Sequence, residues 1–170
     1  RIFYKYAPEL HNGCETQVGV PVAVQLLGSD PVQMGRHGAK AVELGATQVD
    51  INFGCPAKTV NKHKGGCVLM REPELMQQIT EAVRAAVPAH VPVTAKMRLG
   101  YDDRSMGVAC GQALEAAGAS EIVVHARSKV DGYKPPAYWE DVARVREAVN
   151  AHVIANGEIW TVADYWRCRE

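Results

Sequence analysis

No apolar run in the 170 residues is long enough to cross a bilayer, and no secretory signal opens the chain. Charge of one sign is also missing, because 19 Lys and Arg balance 19 Asp and Glu. Bulk electrostatics therefore neither demands nor excludes a nucleic-acid partner. Low-complexity segments and linkers are absent, which leaves no composition break at which to divide the chain. Cysteines number five, an odd total that argues against a complete disulfide framework, and they lack the paired close spacing of a zinc site. His11, His37, His63, His90 and His152 have no metal-like grouping, so no metal is expected. With 47% hydrophobic and 22% charged residues, the composition is that of a soluble globular domain in a reducing cytoplasm, without a membrane partner.

The most informative stretch runs from Asp50 to Lys58 and on through Asn61 to Gly65-Gly66-Cys67. Val49, Ile51 and Phe53 alternate with Asp50 and Asn52, a strand pattern, and Gly54 and Pro56 flank Cys55 where a loop must begin. The spacing predicts a thiol at the carboxyl end of a strand. An unperturbed thiol stays protonated at neutral pH, so Cys55 reads as a general acid or, more plainly, as a small buried hydrophobe. Lys58, Lys62, His63, Lys64 and Arg71 form a local basic cluster just beyond it, either a solvated face or a phosphate track.

Along the chain, apolar runs suited to buried parallel strands alternate with helical periodicity, which predicts repeated βα units. Strands are expected at Val22 to Leu27, Gln48 to Phe53, Val93 to Arg98, Glu121 to His125 and Val153 to Ala155. Helices are expected from Pro31 to near Gly45, from Pro73 to before Pro88, and from about Met106 to Ala117. Two more should start near Trp139 and after Thr161, where Asp164 completes a variant capping box. Polar residues recur at the strand ends: Gln25, Asn52 with Cys55, Lys96, His125 with Arg127, and Asn156-Gly157-Glu158. In a (β/α)8 TIM barrel such residues converge on the catalytic face, and units of about thirty residues make this chain about five central βα units of such a barrel. The expectation is an internal portion of a longer protein, with strand edges covered by missing strands or a partner.

Each residue also has a plainer reading. Lys96 and Arg98 could be a solvated strand end, although a lysine inside a buried strand needs a partner. His125 could be structural, Gln25 a satisfied core amide, and Asn156-Gly157 only a turn.

Val24-Gln25-Leu26-Leu27-Gly28, the Cys55 segment, Ala95 to Gly100, Val124-His125-Ala126-Arg127 and Ala155 to Ile159 together resemble the tRNA-dihydrouridine synthase family. Ala7 to Asn12 and Gly157 to Trp160 are similar to its C-type branch, which acts on a D-loop uridine, although Ala7 stands where a cysteine is expected. The resemblance implies FMN at the barrel mouth, NADPH as reductant, tRNA as partner and a monomer at full length. It also implies further barrel strands and a C-terminal helical tRNA-binding domain beyond these 170 residues. Cys55 would be the proton donor, and Asn52 would hold the uracil. Gln25, Lys96 and His125 would contact the flavin ring. Asn156, Gly157 and Glu158 would grip ribitol and phosphate, and Arg127 would meet flavin phosphate or RNA. Two other readings stay open: an FMN barrel of the dihydroorotate-dehydrogenase kind, and a non-catalytic barrel that binds RNA or another subunit.

Overall fold

The computed structural model describes residues 2–169. A short helix α1 (Ile2–Tyr6) and a 3-10 turn (Pro8–Asn12) precede the first strand, β1 (Val24–Leu26). Then follow α2 (Pro31–Glu43), β2 (Val49–Asn52), the single turn α3 (Lys58–Lys62), a 3-10 segment (Gly66–Arg71), α4 (Pro73–Ala86) and β3 (Val93–Gly100). The chain continues through α5 (Gly107–Ala116), β4 (Glu121–Ser128), α6 (Trp139–Ala148), β5 (His152–Asn156) and α7 (Val162–Arg169). All five strands are parallel and lie in chain order β1-β2-β3-β4-β5. Sequential parallel strands joined by helices are the arrangement of consecutive (β/α)8 barrel units.

The helix starts follow local chemistry. Asp30 is extended and its carboxylate accepts from the Gln33 N–H at 2.8 Å, while Pro31 fills the first helical position. At α7, Asp164 accepts from the Thr161 N–H at 3.0 Å and the Thr161 hydroxyl accepts from the Asp164 N–H at 3.1 Å, so the variant capping box closes. Strand ends differ from expectation in both directions. β1 is shorter because the Val22 N–H is taken by the Cys14 carbonyl at 2.8 Å and so belongs to the preceding loop. β3 and β4 run on to Gly100 and Ser128, which pair with one another.

The register divides the sheet into two unlike faces. Val49, Ile51, Ala95, Met97, Leu99, Ile122, Val124 and Ala126 share the parity that packs under the helices, and all are buried. Burying each of the larger side chains contributes roughly 2 kcal/mol. The other parity is polar: Gln25, Asp50 and Thr94 form one cross-strand row, and Arg98, His125 and Asn156 another. The alternation read in the sequence at Val49 to Phe53 thus extends to the neighbouring strands. β1 and β5 are the free edges, beside exposed Leu27 and Ile154, and Trp160 and Trp166 stand exposed beyond β5.

Candidate active site

The polar face opens at the carboxyl ends of the strands into a cleft of about 650 Å³. Asn52, Cys55, Lys96, His125, Arg127, Asn156, Gly157 and Glu158 all line it, so four of the five strands deliver the expected residues to one place. Gln25 stands just outside. Its amide is engaged within the protein, donating to Asp50 at 2.7 Å and accepting from Asn52 at 2.8 Å. Asp50 is buried, and its second carboxylate oxygen accepts from Thr94 at 2.7 Å. That triad orients Asn52, whose own oxygen accepts from the Gly54 N–H at 2.9 Å and so turns the chain toward Cys55.

The Cys55 loop is fixed from several sides. Asn61 donates to the Cys55 carbonyl at 2.9 Å and to the Ala57 carbonyl at 2.8 Å, and accepts from the Val68 N–H at 2.7 Å. Arg98, although charged, is 2% exposed and donates to the Gly54, Ser128 and Gly132 carbonyls. It is an internal brace between β2 and the loop after β4, not a solvated strand end. Gly66 holds φ +68°, and a Cβ there would stand 2.6 Å from the Cys55 carbonyl oxygen. Among the five cysteines Cys55 alone lines the cleft, half-buried. Cys67 lies beneath the same loop, donating to the Gly54 carbonyl at 3.1 Å, and burial pushes its thiol up to about 12. Cys110 is likewise pushed up by burial to about 12. Those two are packing residues.

Lys96, beside Asn52 on the neighbouring strand, reaches across β4 and donates to Asn156 at 2.8 Å. Burial lowers its pKa from the ordinary lysine range, with Asp50 opposing and Arg98 adding. His125 is 7% exposed and depressed to about 4, first by burial and then by Arg98, Lys96 and Arg127, with Glu158 opposing. Its ring is therefore neutral at pH 7. Arg127 is buried and does not reach into open solvent. It donates to Glu158 at 2.6 Å and to the Pro136 carbonyl at 3.1 Å, and lies 3.3 Å from His125 Nε2. The resemblance puts Arg127 on flavin phosphate or RNA and Glu158 in the ribitol and phosphate grip, whereas the structure engages them first with each other. The Arg127 hydrogen bond, and then that from Trp160, lowers the Glu158 carboxyl below the usual range. Gly157, at φ +115°, lets its turn press on the His125 ring, where a Cβ would stand 3.0 Å from Cδ2. The Trp139 indole donates to the Gly157 carbonyl at 2.9 Å.

Sequence reasoning left Asp50, Arg98 and Trp139 without a role, and named Asn61 without giving it one. A carboxylate inside an apolar strand was the available signal for Asp50, because such a group requires a buried partner. Among the described residues no group of His, Cys, Asp and Glu could hold a metal ion, and no helix is long and apolar enough to cross a membrane.

An organic anion suits this donor set. Arg98 and Arg127, whose own hydrogen bonds stay within the protein, add positive potential beside Lys96, and a glycine turn offers backbone at close range. Solved structures share the fold. Phosphonopyruvate hydrolase in complex with oxalate and Mg++ matches with a TM-score of 0.67 at 17% identity, covering 98% of this chain and 62% of its own. 2,3-Dimethylmalate lyase matches with a TM-score of 0.61 at 14% identity, covering 97% and 58%. Sequence relatives are much nearer. The tRNA-dihydrouridine(16) synthase of Pseudomonas syringae pv. tomato is 60% identical over 168 residues, covering 99% of this chain and 53% of the relative. That of Shewanella oneidensis is 53% identical over 170 residues, covering 100% and 54%. The chain spans about half the length of these curated relatives. With the dihydrouridine synthase (Dus) family profile matching residues 4–170, the chain belongs to the dihydrouridine synthase family.

Proposed function

We propose that this chain is the flavin-binding half of an enzyme that reduces a D-loop uridine of tRNA to 5,6-dihydrouridine, working with further barrel strands and a helical tRNA-binding domain. The observation that carries the reading is the convergence on one cleft of the Cys55 thiol, the Asn52 amide and the Lys96, His125 and Gly157 cluster. Lys96 and His125 would hold the ring of FMN. The backbone at Asn156, Gly157 and Glu158 would grip ribitol and phosphate, since the Glu158 carboxylate is already committed to Arg127. When bound and reduced by NADPH, FMN supplies two electrons and a hydrogen to C6 of the uracil.

The chain's own residues supply the rest. Saturating C5 requires a proton, and Cys55 Sγ is the acid on the cleft wall that can deliver it. Asn52 would donate and accept at the uracil edge while the Gln25 and Asp50 amide-carboxylate pair keeps it from rotating away. Gln25 thus acts by orienting Asn52. Arg127 steadies the Gly157-Glu158 turn and leaves the His125 ring neutral, so its contribution to RNA or phosphate would be indirect.

The test uses the full-length protein. Purified enzyme should be yellow with a bound-flavin absorbance band. It should form dihydrouridine on tRNA from a strain lacking it, and leave free uracil and orotate unchanged. Cys55→Ala should keep the flavin band and lose about 10²- to 10⁴-fold in tRNA reduction. Turnover of free orotate without tRNA reduction would move the chain to the small-molecule class. A colourless protein that takes up no FMN would leave only a binding role.

A further inference from the structure

We infer that the small pocket walled by Lys58, Lys62, Tyr101 and Lys129 is a seat for a backbone phosphate of the RNA strand whose base enters the cleft. The inference rests on the tRNA reading above and gives it a second point of attachment. Lys58 and Lys62 sit one turn apart on α3 and so share a face, Tyr101 directly follows β3, and Lys129 directly follows β4. Their pocket holds about 240 Å³, below the roughly 300 Å³ at which sites for organic ligands begin, which suits a small anion. Pro56 belongs both to this pocket and to the cleft, so the two are neighbours across the Cys55 loop.

Charge makes the pocket specific. The chain as a whole is neutral, yet three ammonium groups gather here, and none forms an ion pair with a carboxylate among the described residues. The nearby acid is already bound, because Asp102 accepts from Arg71 Nε at 2.7 Å and from Nη2 at 2.5 Å. Arg71 in turn lies 4.1 Å over the Tyr101 ring, and Lys129 Nζ lies 4.8 Å from the same ring, so the aromatic wall holds Lys129 at the pocket. Asp102 shares its one negative charge between Arg71 and the nearby Lys129, which leaves the lysines in net excess, and a bound anion offsets that excess.

The position selects RNA over the cofactor. The glycine turn proposed for the flavin phosphate lies at β5, across the cleft, whereas this pocket lies on the rim made by β2, β3 and β4, outside the proposed proton donor. A base placed against Cys55 would bring its sugar-phosphate within reach of that outer side, because the two pockets share Pro56. The pocket also sits away from β1 and β5, the edges to which further strands would add.

The test compares full-length holoenzyme with its Lys58→Gln/Lys62→Gln/Lys129→Gln variant, titrated with an unmodified tRNA transcript over a salt series. The variant should bind about tenfold more weakly at low salt, and its log affinity against log salt should flatten by roughly one unit. The flavin band and thermal midpoint should match the parent, and the corresponding Lys→Arg variant should recover most of the affinity. Unchanged tRNA affinity and salt slope in a variant of a parent that binds and reduces tRNA would overturn the seat alone. A raised KM for NADPH with unchanged tRNA affinity would assign the pocket to the reductant's phosphate and overturn the RNA assignment. A parent that binds no tRNA would overturn the functional reading, and the seat with it.

Discussion

The side-chain amide of Asn61 reaches back across one loop to the backbone carbonyl of Cys55 at 2.9 Å, and its oxygen accepts from the Val68 N–H at 2.7 Å. One amide therefore ties the segment that presents the thiol to the 3-10 turn lying beneath it. Asn61→Ala removes three hydrogen bonds and leaves the part-buried Val68 N–H without its acceptor. The expected cost is about 2 kcal/mol in denaturant unfolding. Turnover on tRNA should fall more than FMN affinity does, because the loop carries the thiol and not the flavin grip. Asn61→Asp keeps the acceptor for Val68 and should fall between the two. Equal stability of all three proteins would show that the loop is held by other contacts.

Gly66 supports the same loop by being small. Its φ of +68° is a region that side chains enter at a cost, and a Cβ would meet the Cys55 carbonyl oxygen at 2.6 Å and the Cys55 Cβ at 3.0 Å. The nearest of these atoms is backbone, which gives little room to yield. Gly66→Ala should lower stability by roughly 2 kcal/mol and move the thiol. Dihydrouridine formation should drop at least tenfold while the flavin band persists. Parent-like turnover in a Gly66→Ala enzyme would mean that the thiol's position is not critical.

Residues whose roles are local were legible in the sequence. Asp30-Pro31, Pro73 and Thr161 with Asp164 start helices through contacts made within four residues, and those starts fall where they were expected. Cys55 is legible as a thiol on the glycine-proline turn after a strand, and Asn52, Lys96 and His125 as polar groups within otherwise apolar strands, and the sheet brings them to one cleft. What stayed hidden depends on pairs far apart in the chain. Arg127 meets Glu158 across 31 residues, Arg98 meets the Gly54 carbonyl across 44, and Gln25 meets Asp50 across 25. The path of the loops decides those partners, and no periodicity records it. α1 and α3 were missed because a five-residue helix has too few positions to display a period.

Lys96 donates to Asn156 at 2.8 Å, and burial has already weakened its hold on the proton. Its charge is therefore costly to keep, and a bound electron-rich ring would offset that cost. Lys96→Met removes the charge with little change in length. The bound flavin should become harder to reduce, visible as a more negative midpoint potential, and FMN affinity should fall about tenfold. An unchanged potential together with unchanged occupancy would rule out an electrostatic role for this lysine.

His125 links the site to acid stability. In the folded protein its pKa is depressed to about 4 by burial and by Arg98, Lys96 and Arg127, with Glu158 opposing, against about 6.5 in an unfolded chain. Between those values the unfolded chain binds the extra proton and the folded one does not, so stability rises with pH across that interval. The contribution is complete above about pH 6.5, is lost progressively as the pH falls toward 4, and does not fall further below that. The full shift corresponds to about 3 kcal/mol, and screening by water in the open cleft reduces the expected loss to about 2 kcal/mol. Denaturant unfolding of the full-length enzyme at pH 7.0, 5.5 and 4.5, beside a His125→Asn variant, separates this group from the carboxylates. Glu158, lowered chiefly by its bond to Arg127, loses its contribution only below the usual glutamate range and so acts at a lower pH. The variant should lack the slope between pH 6.5 and 4.5 that the parent shows. Parallel slopes in the two proteins would mean that the imidazole binds its proton equally well in the folded and the unfolded chain.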